Sequence, residues 1–122
     1  MQQETIENYC KTALELDKGD GVKSVDIANS LGISKISVSI TLQKLKQEGF
    51  VSMKKYGRVK LTQKGICVAK KIDGKYCTLE GFLQKCLGVE KQRAKKEACA
   101  IEHCLSDDTI KRLVAFCGKK KN

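Results

Sequence analysis

Residues 24–61 read SVDIANSLGISKISVSITLQKLKQEGFVSMKKYGRVKL, and this stretch decides the fold. Ser24 is placed to cap a short helix, Val25 to Leu31, which Gly32 stops. Ser34 is placed to cap a second helix running to about Glu48, with Gly49 as its stop. Two short helices joined by a tight glycine-containing turn have the form of a helix-turn-helix. Phe50 to Lys54 and Arg58 to Leu61 then read as two strands about Tyr56-Gly57, a hairpin in the position of a wing.

The second helix carries an unusual pattern. Val38, Thr41, Leu42 and Leu45 share the face expected to be buried, and Ile36 and Ile40 fall on the opposite one. Two isoleucines left in water beside Ser34, Lys35, Ser37 and Ser39 need a reason. Reading the major groove of double-stranded DNA supplies one, because apolar side chains touch thymine methyls while hydroxyls and Lys hold phosphates. Packing against another element of the same subunit is the alternative. Gln43 is the one side chain here suited to bidentate adenine contact, so specificity leans on methyl contacts and DNA shape. On the wing, Lys54, Lys55 and Arg58 are expected at backbone phosphates.

Working outward, Ile6, Tyr9, Cys10, Ala13, Leu14 and Leu16 recur at helical spacing between Glu4 and Leu16, and Lys18-Gly19-Asp20-Gly21 ends that helix. Downstream, Thr62 caps a long helix with Ile66, Ala69, Ile72, Tyr76, Leu79, Leu83 and Cys86 in one stripe, ending at Gly88. That stripe is too long for a small monomer to cover fully. Asp73-Gly74 predicts a bend within it. Two helices follow, Lys91 to about Leu105 and Asp107 to Cys117, the latter capped by Ser106 and closed by Gly118, before a frayed Lys119-Lys120-Lys121 tail. The expected fold is mainly α with a small β-hairpin wing. Residues 1–72 are expected to form a winged helix-turn-helix DNA-binding domain, and residues 73–122 a second, helical domain.

Composition narrows the function. Net charge is +10, and between Lys44 and Lys75 ten basic residues face only Glu48 and Asp73, a stripe that attracts polyanions. No run of 18 apolar residues exists, and the N-terminus Met1-Gln2-Gln3-Glu4-Thr5 lacks the basic start and apolar centre of a signal peptide, so no membrane partner and a cytoplasmic location are expected. Seven cysteines without a CxxC pair argue against a disulfide framework or a zinc ribbon. Neither a glycine-rich phosphate loop nor a nucleophile beside a base occurs, so neither an enzyme nor a small organic substrate is expected.

The remaining chemistry lies near the C-terminus. Cys99, Glu102 and His103 stand at i, i+3 and i+4, so one helix aims thiolate, carboxylate and the chain's single imidazole at one point. Mixed S, O and N donors suit a transition metal.

Glu97-Ala98-Cys99-Ala100-Ile101-Glu102-His103-Cys104-Leu105-Ser106-Asp107 closely resembles the ligand-bearing helix of the iron- and manganese-dependent repressors, the diphtheria-toxin-repressor and manganese-transport-regulator group. The resemblance extends to Thr5-Ile6-Glu7-Asn8-Tyr9, to Asp26-Ile27-Ala28 with Val38-Ser39, and to Leu61-Thr62-Gln63-Lys64-Gly65. It implies a metal-dependent repressor of metal-uptake genes that binds DNA as a dimer, in the short form lacking an SH3-like domain. Carried over by position, it implies Cys99, Glu102, His103 and Asn8 as metal ligands. Cys99 stands where manganese-responsive members tend to have a carboxylate, so Fe2+, or Co2+ or Ni2+, is expected ahead of Mn2+. Lys11 replaces a second first-helix carboxylate, and Tyr76 and Lys95 stand where a further site expects histidines, with only Glu80 matching. One metal per subunit is therefore expected.

Cys10 and Cys104 keep another reading open. Beside Cys99 they could serve as extra thiolate ligands of an iron–sulfur cluster, or sense oxidants. A metal-independent winged-helix regulator is the further alternative. Cys67, Cys77, Cys86 and Cys117 read as core or surface residues without assigned chemistry.

Overall fold

The computed structural model describes the backbone of residues 1–120 and side chains as far as Phe116. Lys121 of the expected frayed tail and the Cys117 side chain lie outside the described residues. The elements are α1 (Gln3–Leu16), β1 (Val22–Lys23), α2 (Ser24–Leu31), α3 (Lys35–Gln47), β2 (Val51–Met53), β3 (Arg58–Leu61), α4 (Gln63–Lys85), α5 (Lys91–Ile101) and α6 (Asp107–Lys120). They divide into two compact units, residues 1–70 and 71–122.

In the first unit, α1, α2 and α3 pack with a three-stranded antiparallel sheet of order β1-β3-β2. Ile27, Val38, Leu45, Val59, Cys10 and Ala69 lie at its centre, all essentially without solvent exposure. The helix-turn-helix follows the expected punctuation. Gly32 takes the left-handed conformation at φ 70° and ends α2, and the Ser34 side chain accepts a hydrogen bond from the Ser37 N–H at 3.1 Å. Ser24 is the first residue of α2 rather than its cap, since Lys23 holds the cap position in extended backbone.

Two features of the sheet differ from expectation. Its first strand, Val22–Lys23, pairs with Val59 and Arg58 and has no sequence signal of its own. Two residues carry no periodicity, and the approach depends on Gly21, whose added Cβ would sit 3.0 Å from the Val59 carbonyl oxygen. The wing strand expected over Phe50–Lys54 is trimmed to Val51–Met53, whose register sets Met53 against Val59.

The start of α4 locks onto the end of α3. Thr62 Oγ1 donates to the Gly49 carbonyl at 2.6 Å and accepts from the Gly65 N–H at 3.3 Å. Lys64 Nζ donates to the Glu48 carbonyl at 2.9 Å and lies 4.3 Å from the centre of the Phe50 ring. These contacts satisfy carbonyls that a helix C-terminus leaves orphaned.

In the second unit, Ile72, Leu79, Ala94 and Ala98 are buried. The helix is not broken at Asp73-Gly74: α4 is helical throughout its 23 residues. One glycine costs about 1 kcal/mol relative to alanine, which a helix of this length absorbs. Lys71 and Lys75, on either side, both pair with Asp107, at 2.6 and 3.3 Å. Helix α5 also differs, ending at Ile101 instead of Leu105. The Glu102 N–H still reaches the Ala98 carbonyl, but Cys104 N–H closes a tighter turn on Ile101. The chain needs that turn because Ser106 begins α6, its Oγ accepting from the Thr109 N–H at 3.1 Å. Gly118 does not close α6, which continues to Lys120.

Candidate metal centre and nucleic-acid interface

Helix α3 buries Val38, Leu42 and Leu45, with Thr41 half-buried at the edge. That anchoring face leaves the other fully outward. Ile36 is 74% exposed and Ile40 54%, and Ser34, Lys35, Ser37, Ser39 and Gln43 are exposed with them. Intramolecular packing of the two isoleucines, the alternative raised from sequence, therefore does not occur among the described residues of this chain. The face offers methyl groups, hydroxyls, one amide and one ammonium, a set that can read base edges and hold phosphates.

The wing residues divide. Lys54 and Lys55 are exposed, whereas Arg58 is half-buried and its guanidinium donates to the Gly21 carbonyl at 3.4 Å. Arg58 thus ties the base of the wing to the loop before β1. That loop is ordered by Asp17, whose Oδ1 accepts from the Gly19 N–H at 2.7 Å and the Gly21 N–H at 3.1 Å. The Gly19 bond, aided by Gly21, Lys60 and Arg58, holds the Asp17 carboxyl below the usual carboxylate range. At the wing tip stands Tyr56, 95% exposed and at φ 62°. The sequence marks Tyr56-Gly57 only as a turn; an aromatic where turns take Asn, Asp or Gly was the overlooked signal.

Of the ligand candidates, Glu102 and His103 come together. Glu102 caps α5 and is fully buried, and its Oε1 lies 3.3 Å from His103 Nε2, the two side chains being 1% and 7% exposed. A carboxylate wholly removed from water requires compensating partners, and an imidazole is one. Cys99, in the last turn of α5, is exposed. Because Glu102 keeps right-handed helical backbone, Cys99 retains its i, i+3 relation to it. Among the described residues, no three or more His, Cys, Asp and Glu are already gathered around one point. The donor types fit a divalent transition metal, with two donors paired inside and a thiol at the solvent edge. Asn8 lies half-buried on α1 in the first unit.

The two extra thiols sit in contrasting places. Cys10 is sealed in the core of the first unit, where burial, and secondarily Glu7, push its thiol up to about 11. It is therefore a neutral core side chain at neutral pH. Cys104 is exposed in the turn after α5. Nearby in sequence to neither, Tyr76 is half-buried and hydrogen-bonded to Glu80, and burial, then that bond, push its hydroxyl up to about 12. Gln84 Nε2 also donates to Glu80, at 2.9 Å. No helix among the described residues is long and apolar enough to cross a membrane.

Comparison with known proteins agrees along the whole length. Residues 1–59 match the iron-dependent repressor N-terminal DNA-binding domain, and residues 62–122 match the iron-dependent repressor metal-binding and dimerisation domain. An uncharacterised HTH-type transcriptional regulator of Methanocaldococcus jannaschii is 36% identical over 121 residues, covering 98% of this chain and 97% of that protein. Among solved structures, the manganese regulator SloR superposes with a TM-score of 0.79 at 31% identity, covering 93% of this chain and 53% of that one. IdeR of T. acidophilum superposes with a TM-score of 0.79 at 30% identity, covering 92% and 53%. This chain thus spans about half the length of those two structures. With a winged helix whose α3 leaves one face exposed and a second unit carrying a buried carboxylate–imidazole pair, the chain belongs to the iron-dependent repressor family of metal-dependent DNA-binding transcriptional regulators.

Proposed function

We propose that this chain is a ferrous-iron-responsive repressor that binds operator DNA as a homodimer and controls metal-uptake genes. The observation that carries the reading is the buried Glu102 carboxylate beside the His103 imidazole, one helical turn beyond Cys99. In this proposal Cys99, Glu102 and His103 hold one ion per subunit, and Asn8 completes the set on the strength of the family resemblance alone. A bound divalent ion would supply the positive charge that holds thiolate, carboxylate and imidazole together. The thiolate at Cys99 favours Fe2+ over Mn2+ by ligand softness. Glu80 is engaged by Tyr76 and Gln84, in keeping with a single site.

For DNA, α3 would enter the major groove with Ile36, Ile40 and Gln43 toward the bases and Ser34, Lys35, Ser37 and Ser39 toward the backbone, while Lys54 and Lys55 contact phosphates. Residues 1–72 would serve as the reading domain and 73–122 as the sensing and dimerising one. An apolar groove of about 420 Å³ in the second unit, lined by Leu79, Phe82, Leu83, Ile101 and Phe116, supports a homodimer, since Ile101 and Phe116 remain exposed within it. Such a regulator would act in the cytoplasm.

Anaerobic binding to the DNA upstream of its own gene, titrated with Fe2+ and then Mn2+ against a chelator, tests the proposal. Binding that needs metal and saturates at lower Fe2+ than Mn2+ is expected. Binding indifferent to both metals and to chelator would overturn it in favour of metal-independent regulation. A His103→Ala protein should remain a folded dimer and lose the metal response.

A further inference from the structure

Tyr56 is the most exposed large hydrophobic residue described, at 95%, and the one non-glycine residue described with a positive φ. It occupies the first central position of the turn Lys55-Tyr56-Gly57-Arg58, closed by the Arg58 N–H on the Lys55 carbonyl, with Gly57 also at positive φ, 70°. Turns with two positive-φ central residues favour Asn-Gly, because a side chain with a bulky Cβ substituent crowds the following carbonyl. A tyrosine here therefore costs stability twice over, through backbone strain and through an aromatic ring left in water. Outliers of this kind concentrate where a ligand repays them. The surroundings indicate the ligand: Lys54 and Lys55 are exposed on the approach to the tip and no acidic residue lies between Met53 and Leu61. An exposed ring next to two exposed lysines matches duplex DNA, where phosphates flank a groove whose sugar walls and base edges can cover an aromatic face.

We infer that Tyr56 is a DNA-contacting residue, its ring entering the groove beside the one read by α3 while Lys54 and Lys55 bind the phosphates on its rim. The inference rests on the DNA-binding reading above and extends it to a residue and a second groove. The ring contributes apolar cover and not charge, so its removal lowers affinity without changing how binding responds to salt.

The test uses the full chain and the same upstream DNA. Tyr56→Asn supplies the residue this turn prefers and deletes the ring. Its unfolding midpoint should equal or exceed the native one, while DNA affinity falls about tenfold, the size of one good groove or stacking contact, at an unchanged salt slope. A second measurement does not depend on that variant folding. The chain has three tyrosines and no tryptophan, and Tyr9 is buried and Tyr76 half-buried. Native tyrosine emission should change on adding DNA, and Tyr56→Phe should bind within about twofold of native yet lose most of that change. Native-like affinity in Tyr56→Asn, or an undiminished emission change in Tyr56→Phe, would overturn the inference and leave the DNA-binding reading intact. Failure of the native protein to bind under any metal condition would overturn both.

Discussion

Two glycines of α4 should respond to alanine with opposite signs. At Gly65 a methyl group would overlap the backbone carbonyl oxygen of Phe50 and stand 3.0 Å from Leu61 Cδ2. A carbonyl in a chain held by the Thr62 N–H to Phe50 bond cannot rotate away, so the start of α4 must shift from the sheet. Overpacking of this kind costs roughly 1–3 kcal/mol, with backbone obstruction at the upper end. Against it stands a helix-propensity gain of about 1 kcal/mol, leaving a net loss of about 2 kcal/mol. For a domain of this size that lowers the melting temperature by about 10 °C. Gly74 lies in the same helix with nothing within 4 Å of its added Cβ, so Gly74→Ala collects only the propensity gain and should stabilise by about 0.5–1 kcal/mol. Chemical denaturation followed by circular dichroism at 222 nm, a wavelength chosen for the helices, measures both. A neutral or stabilising Gly65→Ala would refute the argument that α4 is pressed against the wing at that point.

Other outcomes follow from single contacts. Ser34→Ala removes the cap on Ser37 N–H and should cost about 1 kcal/mol, visible as lost hydrogen-exchange protection at the start of α3. Asp107 is held below the ordinary aspartate range by hydrogen bonds from Lys71 and Lys75. Its stabilising contribution is therefore present above the unfolded value, about 3.9, and lost as pH falls through the lower folded one. Melting temperatures of native protein and Asp107→Asn should converge in that acid range and with added salt; a constant gap from pH 2 to 6, on the scale set by such carboxylates at roughly 3.9, would contradict the assignment. Lys55→Ala should weaken binding to all DNA sequences alike and reduce the salt slope by about 1, whereas Arg58→Ala should also destabilise the protein, since Arg58 holds the Gly21 carbonyl.

The sequence alone determined the order of the helices, the capped helix-turn-helix, the hairpin after it and the exposed isoleucine face of α3. Each is written in local chemistry: an N-cap hydroxyl at Ser34, a left-handed glycine at Gly32, a period of 3.6 with Ile36 and Ile40 on the wrong side for a core. It also singled out Cys99, Glu102 and His103 as candidates, because donors at i, i+3 and i+4 are a spacing and spacing is legible. What it could not supply depends on residues distant along the chain. Strand β1 exists only because Val59 lies beside Val22. Arg58 reads as a free wing cation until the Gly21 carbonyl is seen beside it, and nothing in the sequence sets Gly65 apart until Phe50 is placed against it. Glu102 and Cys99 are neighbours on one side of a helical wheel, yet packing buried one and left the other in solvent. Local patterns specify which elements form; burial and close approach are properties of pairs of elements, and only the tertiary structure decides them.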